Sequence, residues 1–251
     1  MPSVTKQNKN IIVFHLLRRL SKIEGLTFND ETEKWEKVGT VQNPRWAFCS
    51  SEINGKIYLV GGCKLNGDFL SSVDVVDRRF QTTEASPMNR GRYSFGMCQF
   101  YSRHLLVAGG MTERGKSPKS SSCEIYDSFT DKWENTSDMI HDRAYFPLVY
   151  FDDKILAIGG RNVRGEISST IESFDVKSRK WELWSTELLE KRHDHGAVAF
   201  DNKFYVFGGF GESNKISSTI EMYSLETGQF TYVKPMPMSL CIIRLDFKIS
   251  K

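Results

Sequence analysis

His193, Asp194 and His195 form the densest cluster of metal-ligating and proton-transferring side chains in the sequence. Two histidines at i and i+2 on a strand point to the same face, so metal binding is the first chemistry to weigh. A usable site needs three or four ligands and outer partners that orient them. Cys63, His104 and His141 stand at unmatched positions, and His195 fills a slot held elsewhere by Phe48, Phe95 and Phe146. The cluster therefore reads as packing, and neither a metal nor another cofactor is expected. Cys49, Cys63, Cys98, Cys123 and Cys241 are odd in number and form no CxxC pair. That speaks against a zinc site or a disulfide framework and for small buried hydrophobes in a reducing, cytoplasmic setting. No GxSxG, HExxH or phosphate-loop motif occurs, so the chain is expected not to be an enzyme.

Arg45, Arg92, Arg143 and Arg192 are more informative, because each stands 16 or 17 residues ahead of a glycine pair. A guanidinium is a planar fork of donors that suits carboxylates, and two uses follow. Each arginine pairs within its own repeat with Asp74, Glu124, Glu172 or Glu221, since gathered like charges are costly unpaired. Alternatively, the four present themselves together as a partner-binding surface for an acidic segment of another protein.

The elements that must position these residues repeat. Gly-Gly closes an apolar run at Gly61-Gly62, Gly109-Gly110, Gly159-Gly160 and Gly208-Gly209, in steps of 48, 50 and 49. An aromatic lies seven residues before another in Phe28–Trp35, Tyr126–Trp133, Phe174–Trp181 and Tyr223–Phe230, and serine-rich stretches precede the aromatic in SSCEIYD, SSTIESFD and SSTIEMYS. In the shortened unit after Gly62, Phe80 comes early where tryptophan is expected. Short β-rich runs separated by polar turns give four strands per unit, a through d from the axis outward. Strand b ends at Gly-Gly, c carries the Tyr/Phe, d carries the Trp, and the arginine opens strand a. A four-stranded sheet repeated at this period cannot bury both faces alone, which predicts an all-β propeller. Four complete units run from about Arg45 to Val233. Ile11–Leu16, Lys22–Phe28 and Trp35–Val38 supply strands b, c and d of a further blade, and Ser239–Phe247 its strand a. Residues 1–10 are expected to be a disordered tail, and 11–251 the propeller.

The glycine pairs, the aromatic spacing and the arginines resemble the kelch repeat family. The resemblance implies a kelch-type β-propeller of five blades at this repeat length, or part of six. It also implies a protein-interaction module like the substrate-recognition halves of BTB-kelch ubiquitin-ligase adaptors, with arginines at this position lining the peptide pocket. The repeats begin almost at once, so no BTB or BACK domain is expected in this chain. An actin or cytoskeletal scaffold is the alternative. Kelch-like enzymes such as copper oxidases or sugar epimerases are the rival of another class, and the histidines here do not supply copper ligands.

Chain topology puts the d–a and b–c loops on one face. The b–c loops Lys64–Leu70, Met111–Ser121, Asn162–Glu166 and Phe210–Lys215 vary over a constant frame, as binding loops do. Net charge is only +3 in 251 residues, which gives no footprint for nucleic acid. The apolar run Ile11–Leu17 is too short to span a bilayer.

Overall fold

The computed structural model describes residues 12–17, 22–29, 31–41, 43–112 and 121–241. The described residues form five antiparallel sheets and no helix. The first sheet holds β1 (Ile12–Leu17), β2 (Lys22–Asn29) and β3 (Lys34–Val41). The second holds β4 (Cys49–Ile53), β5 (Lys56–Val60), β6 (Val73–Val76) and β7 (Thr82–Ala85), and the third β8 (Gly96–Phe100), β9 (His104–Ala108), β10 (Cys123–Asp127) and β11 (Lys132–Thr136). The fourth holds β12 (Leu148–Phe151), β13 (Lys154–Ile158), β14 (Ile171–Asp175) and β15 (Lys180–Leu183). The fifth holds β16 (Gly196–Phe200), β17 (Lys203–Phe207), β18 (Ile220–Ser224) and β19 (Gln229–Val233). Each is a simple meander, as expected of propeller blades.

The four-stranded sheets share one inner edge. β4 lies beside β8, β8 beside β12 and β12 beside β16. Backbone bonds run along this inner line, from Ser94 N–H to Ala47 O, Tyr145 N–H to Ser94 O and Asp194 N–H to Tyr145 O, at 2.8–3.0 Å. Neighbouring sheets cover both faces of the middle strands, so runs such as Leu105–Ala108 and Ile155–Ile158 are wholly apolar and buried rather than alternating.

The aromatic spacing is a cross-strand pair of the c–d hairpin. Tyr126 faces Trp133, Phe174 faces Trp181 and Tyr223 faces Phe230, with ring centroids 4.9, 5.1 and 5.3 Å apart. Trp133 and Trp181 reach across the seam, donating Nε1–H to Ser86 O and Ser137 O at the end of the preceding sheet. Trp181 is buried and Trp133 partly so. Trp35 keeps the pairing, with Phe28, but its residue stays 53% exposed within a stretch that is solvent-facing from Glu31 to Val38. As a packing residue it departs from the repeat.

Phe80 is another departure. The tryptophan station of its hairpin is taken by Thr82, which pairs with Val76, while Phe80 sits in the turn at φ 58°. Its ring lies on the first sheet over Gly25 and Gly39, which face each other across β2 and β3. A Cβ on Gly25 would come within 2.5 Å of that ring, and one on Gly39 closer still. The two glycines therefore make the space that a tryptophan seam does not need.

β1, β2 and β3 match the expected b, c and d strands, with an eight-residue β3 against four or five residues in the other outer strands. Of the expected strand at Ser239–Phe247, residues 239–241 form no strand, and the rest lies outside the described residues, as does the expected tail at 1–10. Leu240 nevertheless occupies a repeat station. Gly209 N–H donates to Leu240 O at 2.9 Å, as Gly62, Gly110 and Gly160 donate to Arg92, Arg143 and Arg192.

Candidate partner-binding face

The arginines do not open strand a. Each lies four or five residues earlier, in the d–a loop. All four are buried, with side chains only 1–2% exposed. Nη1 of each donates to the first glycine carbonyl of its own repeat: Gly61, Gly109, Gly159 or Gly208, at 2.7–3.2 Å. Nη2 meets the strand-c carboxylate, at 2.8 Å for Arg45–Asp74, 2.7 Å for Arg92–Glu124 and 2.6 Å for Arg143–Glu172, and likewise for Arg192–Glu221. Of the two readings of the sequence, internal pairing is the one this geometry realises. As direct contacts for a partner, Arg45, Arg92, Arg143 and Arg192 are corrected: a guanidinium closed off from solvent and committed to a carboxylate has no fork to offer a peptide.

The carboxylates extend the clamp. Glu124 accepts from Asn89 N–H, Glu172 from Ile140 and His141 N–H, and Glu221 from Leu189 and Glu190 N–H, so each fixes the d–a loop ahead of its arginine. Asp74 is one methylene shorter. Its Oδ2 takes the Asn43 amide instead, and its Oδ1 is left without a partner. Burial lowers the Arg45 and Arg143 values from that of ordinary arginine, opposed by Asp74 and Glu172, and raises that of Glu221 against the pull of Arg192. The glycines let the loops close. All eight have φ between 58° and 98°, and a Cβ on Gly61 would stand 2.8 Å from Arg92 O.

Above this clamp the d–a and b–c loops do share a face. Residues just beyond the arginines bridge to residues just beyond the glycine pairs: Trp46 to Cys63, Tyr93 to Met111, Ala144 to Arg161 and His193 to Phe210. Phe69, Ile167 and Ile216 add a third bridged position. Trp46, Tyr93 and Phe69 form a half-buried aromatic shelf with centroids 4.8–5.2 Å apart. Leu65, Val163 and Ile216 are exposed on the loops. Most of the Met111–Ser121 loop lies outside the described residues.

His193 and His195 do not gather a metal site; no group of three ligand types stands together among the described residues. His195 is buried in the slot of Phe95 and Phe146, against Gly159 and Gly209. Among the described residues no helix is long and apolar enough to cross a membrane.

A family profile described as Kelch motif matches residues 142–183 and 191–237, which cover the fourth and fifth sheets with the latter part of the d–a loop before each. These are kelch repeats. The chain is similar to Kelch-like protein 7 of Mus musculus, 40% identical over 65 residues, or 26% of this chain and 11% of that protein. Kelch-like protein 40 of Xenopus tropicalis is 30% identical over 135 residues, 50% of this chain and 21% of that protein. Kelch-like protein 15 of Homo sapiens is 23% identical over 168 residues, 60% of this chain and 28% of that protein. The chain thus spans between about a tenth and just over a quarter of the length of these relatives.

Proposed function

We propose that this kelch chain is a protein-binding module and that its partner rests on the face made by the d–a and b–c loops. The carrying observation is the contrast between frame and loops. Beneath the face, four near-identical arginine clamps hold the backbone. Above it, the bridged positions are Trp46, Tyr93, Ala144 and His193, with no two alike. Variation over a rigid frame is where specificity sits. The arginines serve the face from beneath, as positioning residues. In a longer kelch-like protein such a face would serve as the substrate-recognition half of a ubiquitin-ligase adaptor; the resemblance of the repeats carries that part, and a non-enzymatic role belongs with it.

Exchanging 64–70 and 161–167 for Gly/Ser loops of equal length tests the reading. The exchanged protein is expected to melt near the parent temperature and to lose the partners that proximity labelling finds for the parent. Arg92→Ala should behave oppositely. It strands a buried Glu124, a change that typically costs about 3–5 kcal/mol, so it should melt first. An unchanged partner set after loop exchange sinks the proposal.

A further inference from the structure

The inner line of the face carries Ala47, Ser94, Tyr145 and Asp194, each at φ 51–60° and each tied to the next by a backbone hydrogen bond. Asp194 is the charged member. Its carboxylate lies 3.0 Å from His193 Nδ1, its side chain is partly exposed, and its backbone is fixed by the bond to Tyr145 O. His193 is 93% buried by its 7% exposure, stacks on Phe210 at 5.4 Å, and meets Tyr145 edge-on at 6.1 Å. With Nδ1–H given to Asp194, Nε2 points away from that carboxylate and is closed off from solvent. The corresponding stations of the other repeats hold Trp46-Ala47, Tyr93-Ser94 and Ala144-Tyr145, so this constellation belongs to the seam between the fourth and fifth sheets alone.

The surrounding charge has the same sign as Asp194. In 137–144, 161–172, 185–194 and 210–221, nine carboxylates stand against six cations, with Arg161 and Arg164 included. Arg143 and Arg192 are consumed by Glu172 and Glu221, and Lys191 by Glu212. A partly exposed carboxylate beside an aromatic wall suits a cation, whose stem lies on the rings while its N–H groups point at the carboxylate.

We propose that this corner takes a lysine or arginine side chain of the partner, so that the segment read by this half of the face is basic. The inference rests on the proposed binding face and adds its chemistry; it reverses the acidic segment expected from the arginines. The probe is a fluorescein-labelled decapeptide of alternating lysine and alanine, with its glutamate counterpart, followed by anisotropy at low salt. The lysine peptide should bind more tightly. Asp194→Asn should weaken it about tenfold. His193→Phe, which keeps the stack on Phe210 and releases the Asp194 carboxylate from its neighbour, should tighten it. Asp201→Asn, an equal loss of charge in the turn at the far end of β16, should not. Tighter binding of the glutamate peptide, no binding of either, or an equal loss in Asp201→Asn overturns the proposal. Should Asp194→Asn melt low, His193→Phe decides. All these outcomes leave the loop-exchange result standing on its own.

Discussion

His195 shows how a single side chain can be out of keeping with an otherwise regular frame. It sits where the other repeats place phenylalanine, buried, with the Ile158 backbone near but neither ring nitrogen in a hydrogen bond. Burial, followed by the nearby positive charge of Arg192 and Arg143, holds its imidazole well below the ordinary value. The folded form therefore keeps the ring neutral, while the unfolded chain protonates near pH 6.5. Protons favour the unfolded state below that pH, so this residue's effect is a loss of stability on acidification and none above it. His195→Phe is expected to stabilise by about 1–2 kcal/mol at neutral pH, since an unpaired polar group leaves the interior, and by more at pH 5. Urea titrations at both pH values measure it, and an equal gain at each would contradict the account. The substitution pattern alone marks His195 as packing. That Asp74, one methylene shorter, would take the Asn43 side-chain amide in place of a loop N–H is not legible from a repeat in which aspartate and glutamate look equivalent.

At the scale of elements, the strand order, the glycine-pair stations and the c–d pairing were legible because each follows a fixed spacing. The arginines were legible only as a pair of alternatives. Spacing gives a station but not the distance to a carboxylate, and only burial separates a clamp from an exposed fork. Phe80 was visible as an oddity, but its role was not, since its partners Gly25 and Gly39 lie in another sheet and signal nothing on their own. The seam between the first and second sheets thus depends on a ring set into a glycine cradle. Gly39→Ala forces that ring to move, and overpacking of this kind typically costs about 1–3 kcal/mol. In a Phe80→Ala background the same change should cost much less, because the two sites are coupled by contact. A double-mutant cycle by urea denaturation checks this; additive effects would mean that the cradle is not what the glycines provide.

Across the whole molecule, the first sheet lacks an inner strand among the described residues, and its clamp stations have changed together. Leu26 stands two residues before Phe28, where the other sheets carry the strand-c carboxylate, and Leu240 stands at the arginine's station. Removing both charges at once avoids leaving either ion without its partner.

The bond from each second glycine to the carbonyl at the next arginine station has a further consequence. The cohesive unit is out of phase with the repeat as written: a sheet is finished only by backbone that belongs, in sequence, to its successor. Cutting the chain between one outer strand and the next arginine would sever the first sheet from its fastening, whereas a cut just after the arginine would strand the buried carboxylate of the sheet that follows. Because the tie is made by a carbonyl, the station tolerates leucine at 240 as well as arginine elsewhere. Arg92, Arg143 and Arg192 therefore each fasten two sheets, the preceding one by the carbonyl and the following one by the side chain, so fragments and circular permutants have no free cutting point in these loops.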